Sequence, residues 1–282
     1  MIIAKPNGGL GNRMRVIHSC IALSRENGSP VKVFWKKDPG LNAGLHDIFK
    51  PIPEAPLLQA PFYLLCFIAS KRLAEKSGIF SWMPALVNRG YHYYDDELVE
   101  SKRFLPGYWN KGHHKVIFNT CFDFFKEGVN IPGYASLFKP VDKIQERIDE
   151  ITRQFNEATV GIHIRRTDHQ SAKEYSSLHL FTGRIDELLA TDSSRLLYLS
   201  TDDAATEEQL KKKYPGRIIT LLHKDLDRNS AKGIEDAVTD MYCLSKTSLV
   251  LGSFASTFSQ IAAAIGQVPL IIVKQKAIEK SI

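Results

Sequence analysis

The chain has 282 residues and a formal net charge of +6, and its residues are 44% hydrophobic and 24% charged. This composition is ordinary for a folded protein of one or two domains and excludes an intrinsically disordered chain. The basic balance favours an anionic partner such as a nucleotide, but the Lys and Arg residues are scattered and no zinc finger, basic zipper or aromatic RNA-binding signature is present, so a nucleic-acid partner is not expected.

The first elements predict a strand, a turn, a helix and a second strand. Residues 2–4 form a short apolar run, and Gly-Gly-Leu-Gly-Asn at 8–12 predicts a turn with Asn12 as the N-cap of a helix. Apolar residues at helical spacing continue to Gly28, and residues 31–35 predict the next strand. This order is a βαβ opening, the unit of a parallel sheet.

The glycine loop at 8–12 is by itself a weak sign of ligand binding. It is not a dinucleotide fingerprint, because Met14 stands where the third glycine is expected. It also lacks the Gly-Lys-Ser/Thr ending of a Walker loop. A close approach of its backbone to a ligand still fits the pattern.

The middle of the chain, residues 39–140, is rich in proline and aromatic residues and has poor periodicity, so we expect helices and long loops there. Its most apolar stretch, residues 60–70, is too short to span a bilayer.

Cys20 and Cys243 predict buried free thiols, and no secretory signal pattern is visible. We therefore expect a cytoplasmic protein, with a peripheral membrane contact through residues 56–73 as an alternative.

The last part of the chain alternates strands with helices. Strands are predicted at 158–164, 195–199, 216–222, 248–251 and 269–273, and helices at 177–191, 204–214, 235–246 and 257–265. This alternation predicts a second doubly wound parallel-sheet half, with a boundary near residues 140–156.

Polar motifs follow three of these predicted strands. They are His-Ile-Arg-Arg-Thr-Asp at 163–168, Asp-Asp at 202–203 and Ser-Phe-Ala-Ser-Thr at 253–257. Ligands bind at the carboxyl ends of strands in open α/β sheets, and both arginine side chains and helix N-termini suit phosphate groups. Each motif also has a purely structural interpretation, as a surface Arg pair or as helix caps, but their co-occurrence favours one shared ligand crevice.

The two adjacent arginines have different expected roles. If the strand continues through Arg165 and Arg166, their side chains point to opposite sides and Arg165 shares its side with His163. At most one arginine then needs to face the ligand directly. The other anchors the loop through Asp168.

These motifs resemble those of a known enzyme family. Residues 163–168, the run Tyr-Leu-Ser-Thr-Asp-Asp at 198–203, and residues 240–256 are similar, in that order, to the three motifs shared by the alpha-1,6, alpha-1,2 and protein O-fucosyltransferases, including the rhizobial Nod-factor enzymes. The loop at 8–12 resembles the N-terminal loop of the alpha-1,2 group. The resemblance covers mainly the C-terminal half and this loop.

The resemblance implies an α/β fold of the GT-B type, in which two Rossmann-like doubly wound parallel-sheet halves face a central cleft. Residues 1–150 are then the acceptor-side domain and residues 151–282 the domain that binds the GDP-sugar. The implied activity is transfer of fucose from GDP-fucose to a glycan hydroxyl, with inversion at the anomeric carbon. The implied partners are the GDP-sugar donor and the glycan acceptor.

The resemblance also implies roles for individual residues. One of Arg165 and Arg166 neutralises the departing diphosphate, and Asp202 or Asp203 holds the guanine. The remaining residues expected to contact the donor are Gly9, Gly11, Asn12, Arg13, His163, Ser253, Ser256 and Thr257.

The general base is where the chain departs from the family pattern. Some alpha-1,6 enzymes carry a catalytic glutamate at the position of Lys173, so the remaining candidates for the base are Asp168 and Glu174. This departure favours a second hypothesis, a GDP- or glycan-binding module without turnover. A transferase that uses another nucleotide-sugar is a third.

We expect neither a metal nor a cofactor. Asp-Leu-Asp at 225–227 has the form of a metal-binding motif, but it lies where the family has a variable loop, and we interpret it as a solvated turn. A fixed arginine supplies positive charge where negative charge develops on the leaving group.

Overall fold

The computed structural model describes residues 1–59, 92–102, 109, 115–124, 132–167 and 174–275. The chain forms two compact units. One comprises Met1–Lys36 and Pro51–Ile131, and the other comprises Lys37–Lys50 and Pro132–Ile282. The assignment of residues 1–150 as the acceptor-side domain and of residues 151–282 as the domain that binds the GDP-sugar stays a prediction. Within the described ranges, no helix is long and apolar enough to cross a membrane.

The described strands are β1 (Ile2–Ala4), β2 (Val31–Val33), β3 (His92–Tyr94), β4 (Val116–Phe118), β5 (Val160–Ile164), β6 (Leu197–Thr201), β7 (Ile218–Ile219), β8 (Leu249–Ser253) and β9 (Leu270–Val273). The described helices are α1 (Leu10–Asn27), α2 (Leu45–Ile48), α3 (Asp96–Lys102), α4 (Tyr134–Leu137), α5 (Asp142–Thr152), α6 (Leu178–Thr191), α7 (Ala204–Lys213), α8 (Ala231–Ser245) and α9 (Thr257–Gly266).

The first unit contains a parallel sheet of four described strands in the order β2-β1-β4-β3. Helix α1 connects β1 to β2, as the apolar spacing predicts, and ends at Gly28 in the left-handed conformation with φ 70°. This residue closes the helix because glycine adopts that conformation without a steric penalty.

The start of α1 differs from the prediction, because the N-cap is Gly9 and not Asn12. Gly8 turns the chain with φ 76°, and Gly9 then takes the extended conformation of an N-cap. A glycine's positive φ is invisible in the sequence pattern, so the helix begins earlier than the first polar capping residue suggests. Asn12 consequently lies inside the first turn of α1.

The second unit contains a five-stranded parallel sheet in the order β7-β6-β5-β8-β9. This is the 3-2-1-4-5 part of the Rossmann strand order, and the order reverses between β5 and β8. His163 pairs with Ser200 on one side and with Gly252 on the other, so the carboxyl ends of β5, β6 and β8 meet at one edge of the sheet. That edge is where a Rossmann sheet binds its ligand.

The core of the second unit lies on β5 and β6. Their apolar side chains, with those of Phe181 and Ile185 from α6, are fully buried in one cluster. Helix α8 packs against α9 and α5. A strand that is buried on both faces has a nearly continuous run of apolar residues, which is why β5 and β6 were predictable from the sequence.

Gly252 brings α9 close to the end of β8. A Cβ atom at this position would lie 2.5 Å from the Oγ atom of Ser259 in the first turn of α9. Only glycine therefore permits this approach without a shift of the helix. The close packing sets the N-terminus of α9 beside the end of β5.

Candidate functional site

A cavity of about 550 Å³, counted with the space open to solvent, lies at the carboxyl ends of β5 and β6. All of its lining residues belong to the second unit. The side chains relevant to its chemistry are those of His163, Arg165, Asp202, Lys224, Arg228, Asp240 and Phe258.

The two arginines lie in a loop after β5. The strand ends at Ile164, so the expected strand alternation through both arginines is wrong. Arg165 nevertheless lines the cavity together with His163, as expected. The backbone N–H of Arg166 donates to Asp202, and its buried Nη2 atom has no hydrogen-bond partner among the described residues. Arg165 is among the residues that line the cavity and Arg166 is not, so Arg165 is the arginine better placed to meet a ligand there.

Asp202 anchors the loop that carries both arginines. Its Oδ1 atom accepts from the backbone N of Arg166 at 2.6 Å, and its Oδ2 atom accepts from the Oγ1 of Thr167 at 2.7 Å. We expected Asp168 to provide this anchor, but that residue lies outside the described ranges. The carboxylate of Asp202 also lines the cavity, so one side chain both fixes the loop and faces the ligand space.

Asp203 caps a helix, which is the structural interpretation that the sequence also allowed in place of ligand binding. It is the N-cap of α7, and its Oδ2 atom accepts from the backbone N of Thr206 at 2.9 Å and from the hydroxyl of Thr206 at 2.5 Å. These bonds, the hydroxyl bond first, lower the pKa of Asp203. Of the two adjacent aspartates, Asp203 thus caps a helix and Asp202 lines the cavity.

Ser253 and Ser256 connect the end of β8 to His163. The buried hydroxyl of Ser253 donates to the carbonyl of His163 at 3.2 Å and accepts from the backbone N of Arg165 at 3.1 Å. Ser256 stands at the N-cap position of α9, with its Oγ atom 3.5 Å from the Nδ1 atom of His163, and Thr257 is the first residue of the helix. These residues fix the strand ends and set a helix N-terminus, which favours anions, beside His163.

The imidazole of His163 is buried and stacked. Its ring lies 4.7 Å from that of Phe258, with an angle of 27° between the planes. Burial lowers the pKa of His163 to about 3, and the positive charge of Arg165 adds to this effect while Asp202 opposes it. The ring is consequently neutral at physiological pH and acts as a hydrogen-bonding and packing group.

The sequence did not indicate as site residues two charged side chains that line the cavity, the buried Asp240 and the partly buried Lys224. Asp240 accepts from the hydroxyl of Tyr198 at 2.5 Å and from that of Ser200 at 2.9 Å. The ammonium of Lys224 lies 3.9 Å from Asp240 and donates to the carbonyl of Thr201 at 2.7 Å. Burial raises the pKa of Asp240, and Lys224 opposes the shift.

A sequence signal existed for Asp240 but not for Lys224. Tyr198 and Ser200 carry hydroxyls two residues apart on a buried strand, so the hydroxyls share one face and require a buried partner. Lys224 follows β7 in an irregular loop, where no periodicity predicts the direction of a side chain.

The Asp-Leu-Asp run at 225–227 forms a hydrogen-bonded turn. The carboxylate of Asp225 accepts from the backbone N of Asp227 at 2.8 Å and from the hydroxyl of Ser230, the N-cap of α8. Asp227 accepts from the backbone N of Asn229 at 2.8 Å. Among the residues that the structure describes, no group of three or more His, Cys, Asp or Glu side chains is placed to hold a metal ion.

The expected donor residues of the N-terminal loop lie in the first unit. Arg13 is fully buried, donates to the carbonyls of Gly8 and Lys36, and lies 4.9 Å from the ring centroid of Trp35. Its guanidinium therefore holds the loop in place. The Oδ1 atom of Asn12 is buried without a hydrogen-bond partner within the described part of the chain.

Gly9 and Gly11 lie at the N-cap and in the first turn of α1. The role of this loop in donor binding stays a prediction. The same holds for the general base, because Asp168 lies outside the described residues and Glu174 is exposed.

No protein-family model matches the chain. Solved structures with the same fold include NodZ alpha-1,6-fucosyltransferase, a Bradyrhizobium protein, soaked with GDP-fucose, at 17% identity and a TM-score of 0.65, covering 96% of this chain and 94% of that one. A mutant of Arabidopsis thaliana FUT1 in complex with GDP matches at 15% identity and a TM-score of 0.61, covering 96% of this chain and 69% of that one. POFUT1 in complex with GDP-fucose matches at 11% identity and a TM-score of 0.52, covering 96% and 97%.

These similarities confirm the predicted fold class. The chain has an α/β fold with two parallel sheets, and this fold is the one found in solved fucosyltransferases of three kinds. At these identities the comparisons establish the fold alone.

Proposed function

We propose that the protein is an inverting glycosyltransferase that moves fucose from GDP-fucose to a glycan hydroxyl without a metal ion. The main support is the position of Arg165 and His163, which share a cavity at the switch-point edge of a Rossmann sheet. The whole fold is in addition that of proteins solved with GDP-fucose or GDP.

In the proposed reaction, Arg165 stabilises the leaving group. The acceptor oxygen forms a bond to the anomeric carbon of fucose while the bond from that carbon to the β-phosphate oxygen breaks. GDP leaves with increased negative charge, and the guanidinium of Arg165 offers a planar pair of donors to it. The N-terminus of α9, set by Ser256 and Thr257, adds backbone N–H groups on the same side as His163.

The base that takes the proton from the acceptor hydroxyl is a carboxylate in this proposal. Asp168 and Glu174 remain its candidates, and a positioned base contributes roughly 10²–10⁴-fold to the rate. Of the two aspartates proposed to hold the guanine, Asp202 lines the cavity, whereas Asp203 caps α7. We therefore assign the guanine contact to Asp202.

A GDP-binding module without turnover is the second candidate, and the lysine at position 173 favours it. A transferase with a different nucleotide-sugar donor is the third. The binding module and the fucosyltransferase both bind GDP, so only turnover distinguishes these two candidates. The transferase with a different donor is distinguished by the nucleotide that it prefers.

Calorimetric titration with GDP, UDP and CMP tests the nucleotide assignment. We expect GDP to bind at least about tenfold more tightly than UDP or CMP, a difference of about 1.4 kcal/mol. Equal affinity for UDP overturns the guanine contact assigned to Asp202.

A further inference from the structure

An aromatic pair lies at the carboxyl ends of β8 and β9, outside the cavity described above. The rings of Tyr175 and Phe254 are 5.2 Å apart between centroids and tilted by 53°. Tyr175 has 43% of its surface exposed, one of the largest exposures of an apolar or aromatic residue in the described part of the chain. Tyr175 and Phe254 thus form a small aromatic surface at the edge of the sheet where Rossmann folds bind their ligands.

The pair is held rigidly by Ser176, which is almost fully buried. Its hydroxyl accepts from the backbone N of Phe254 at 2.8 Å and donates to the carbonyl of Val273 at 2.5 Å. The carbonyl of Tyr175 accepts from the backbone N of Gln275 at 2.9 Å. Three chain segments are thereby tied together beneath the rings, so a ligand that stacks on them meets a surface that is already ordered.

A cationic group lies over one of the rings. The ammonium of Lys274 is 5.5 Å from the centroid of the Phe254 ring. Sites for small ligands combine apolar or aromatic surface with a few such polar groups. A pyranose ring has the matching chemistry, because it presents C–H groups on one face and hydroxyls around its edge.

A protein partner fits this surface less well. A stable protein interface buries about 800 Å² on each side, far more than one half-exposed tyrosine and a partly buried phenylalanine offer. A single sugar ring is of the right size. The pair is also close to the proposed chemistry in sequence, because Phe254 directly follows Ser253, whose hydroxyl binds the backbone N of Arg165.

We propose that Tyr175 and Phe254 form a stacking platform for a pyranose ring of the acceptor glycan. The proposal rests on the proposed glycosyltransferase function for the identity of the ligand. Lys274 supplies hydrogen bonds to the hydroxyls of the stacked sugar. The platform sets where the acceptor lies relative to the loop of Arg165 and leaves GDP binding to the cavity.

Saturation-transfer NMR on the full chain, with lactose and N,N′-diacetylchitobiose as probes in the presence of GDP, tests the platform directly. We expect transfer to the ring protons of at least one probe. The variant Tyr175→Ala weakens that binding by about tenfold, while Tyr175→Phe retains it within about threefold because the stacking face remains. Leu222→Ala is the matched control, since Leu222 is a side chain with 69% exposure that lies apart from the pair in sequence.

Two further measurements distinguish an error in the sugar platform from an error in the proposed function. GDP affinity from calorimetry and thermal unfolding of each variant are expected to equal those of the wild type. If neither probe receives saturation, or if Tyr175→Ala binds the probe as the wild type does, the platform is wrong even when GDP binds. If the wild type does not bind GDP while the probe contacts Tyr175, the proposed function fails and the sugar platform stands.

Discussion

Arg165 and Arg166 are neighbours in the chain, yet their surroundings differ. Both backbone N–H groups are bound, that of Arg165 by Ser253 and that of Arg166 by Asp202, but only Arg165 lines the cavity with the neutral His163. The sequence identified both arginines from their position after a strand. It did not show which one meets the cavity, because that depends on the strand ending at Ile164.

Replacing Arg165 with Ala is predicted to lower turnover of GDP-fucose by about 10²-fold or more, because a preorganised positive group is removed from the leaving diphosphate. Lys at this position restores activity only in part, since it lacks the planar fork. Initial rates of GDP release from the purified variants measure the effect. Arg166→Ala is the matched comparison and is expected to lose less; a larger loss for Arg166→Ala than for Arg165→Ala contradicts the assignment.

His163 predicts a specific dependence of stability on pH. Its pKa is about 3 in the folded protein and 6.5 ordinarily, so the unfolded chain binds the proton more readily below pH 6.5. The free energy of unfolding therefore falls as the pH drops from 6.5 toward 3. Between pH 7 and pH 5 this residue accounts for a loss of roughly 2 kcal/mol.

Urea unfolding at pH 7 and pH 5 measures this loss. His163→Gln, which cannot take up a proton, is expected to lose roughly 2 kcal/mol less than the wild type between the two pH values. His179→Gln is the control at an exposed position and is expected to follow the wild type. An identical pH dependence in wild type and His163→Gln would mean that the imidazole is not held neutral by its surroundings.

At the scale of elements, the sequence located the strands of the second sheet because each contains a short apolar run. Strand β7 is the exception, since it spans only Ile218–Ile219 although the apolar pattern continues to residue 222. Leu222 is exposed and the next residue, His223, has a positive φ of 51°, so the chain has already turned away. Apolar patterning gives no warning of such a turn.

The roles of the two adjacent aspartates can be tested separately, because only Asp203 caps a helix. Asp203→Ala removes the N-cap of α7 and is predicted to lower the free energy of unfolding by about 1 kcal/mol, with GDP affinity unchanged. Asp202→Ala releases the loop of Arg166 and Thr167 and is predicted to weaken GDP binding. Denaturant unfolding and calorimetry measure the two effects.

Ser230→Ala is the matched control for this comparison, because Ser230 caps α8 through the backbone N of Gly233. It should lose stability to about the same extent as Asp203→Ala. A loss of GDP affinity in Asp203→Ala, with Asp202→Ala unaffected, would return the guanine contact to Asp203.

At the scale of the whole molecule, the sequence predicted two parallel-sheet halves, and the fold is that of solved fucosyltransferases. The alternation of strands and helices was sufficient for the second sheet. In the first sheet β3 and β4 were not predicted, because residues 39–140 lack a clear period and their aromatic residues pack among themselves, as Tyr94, Trp109, Phe118 and Phe124 do.

The most direct test is the release of GDP from GDP-fucose by the wild-type protein, with a panel of acceptor glycans and excess EDTA. We predict GDP release together with fucose transfer to at least one glycan, at the same rate with and without EDTA. GDP binding without any release of GDP would contradict the proposed enzyme and favour a binding module. Release that EDTA abolishes and manganese restores would contradict the arginine-based mechanism.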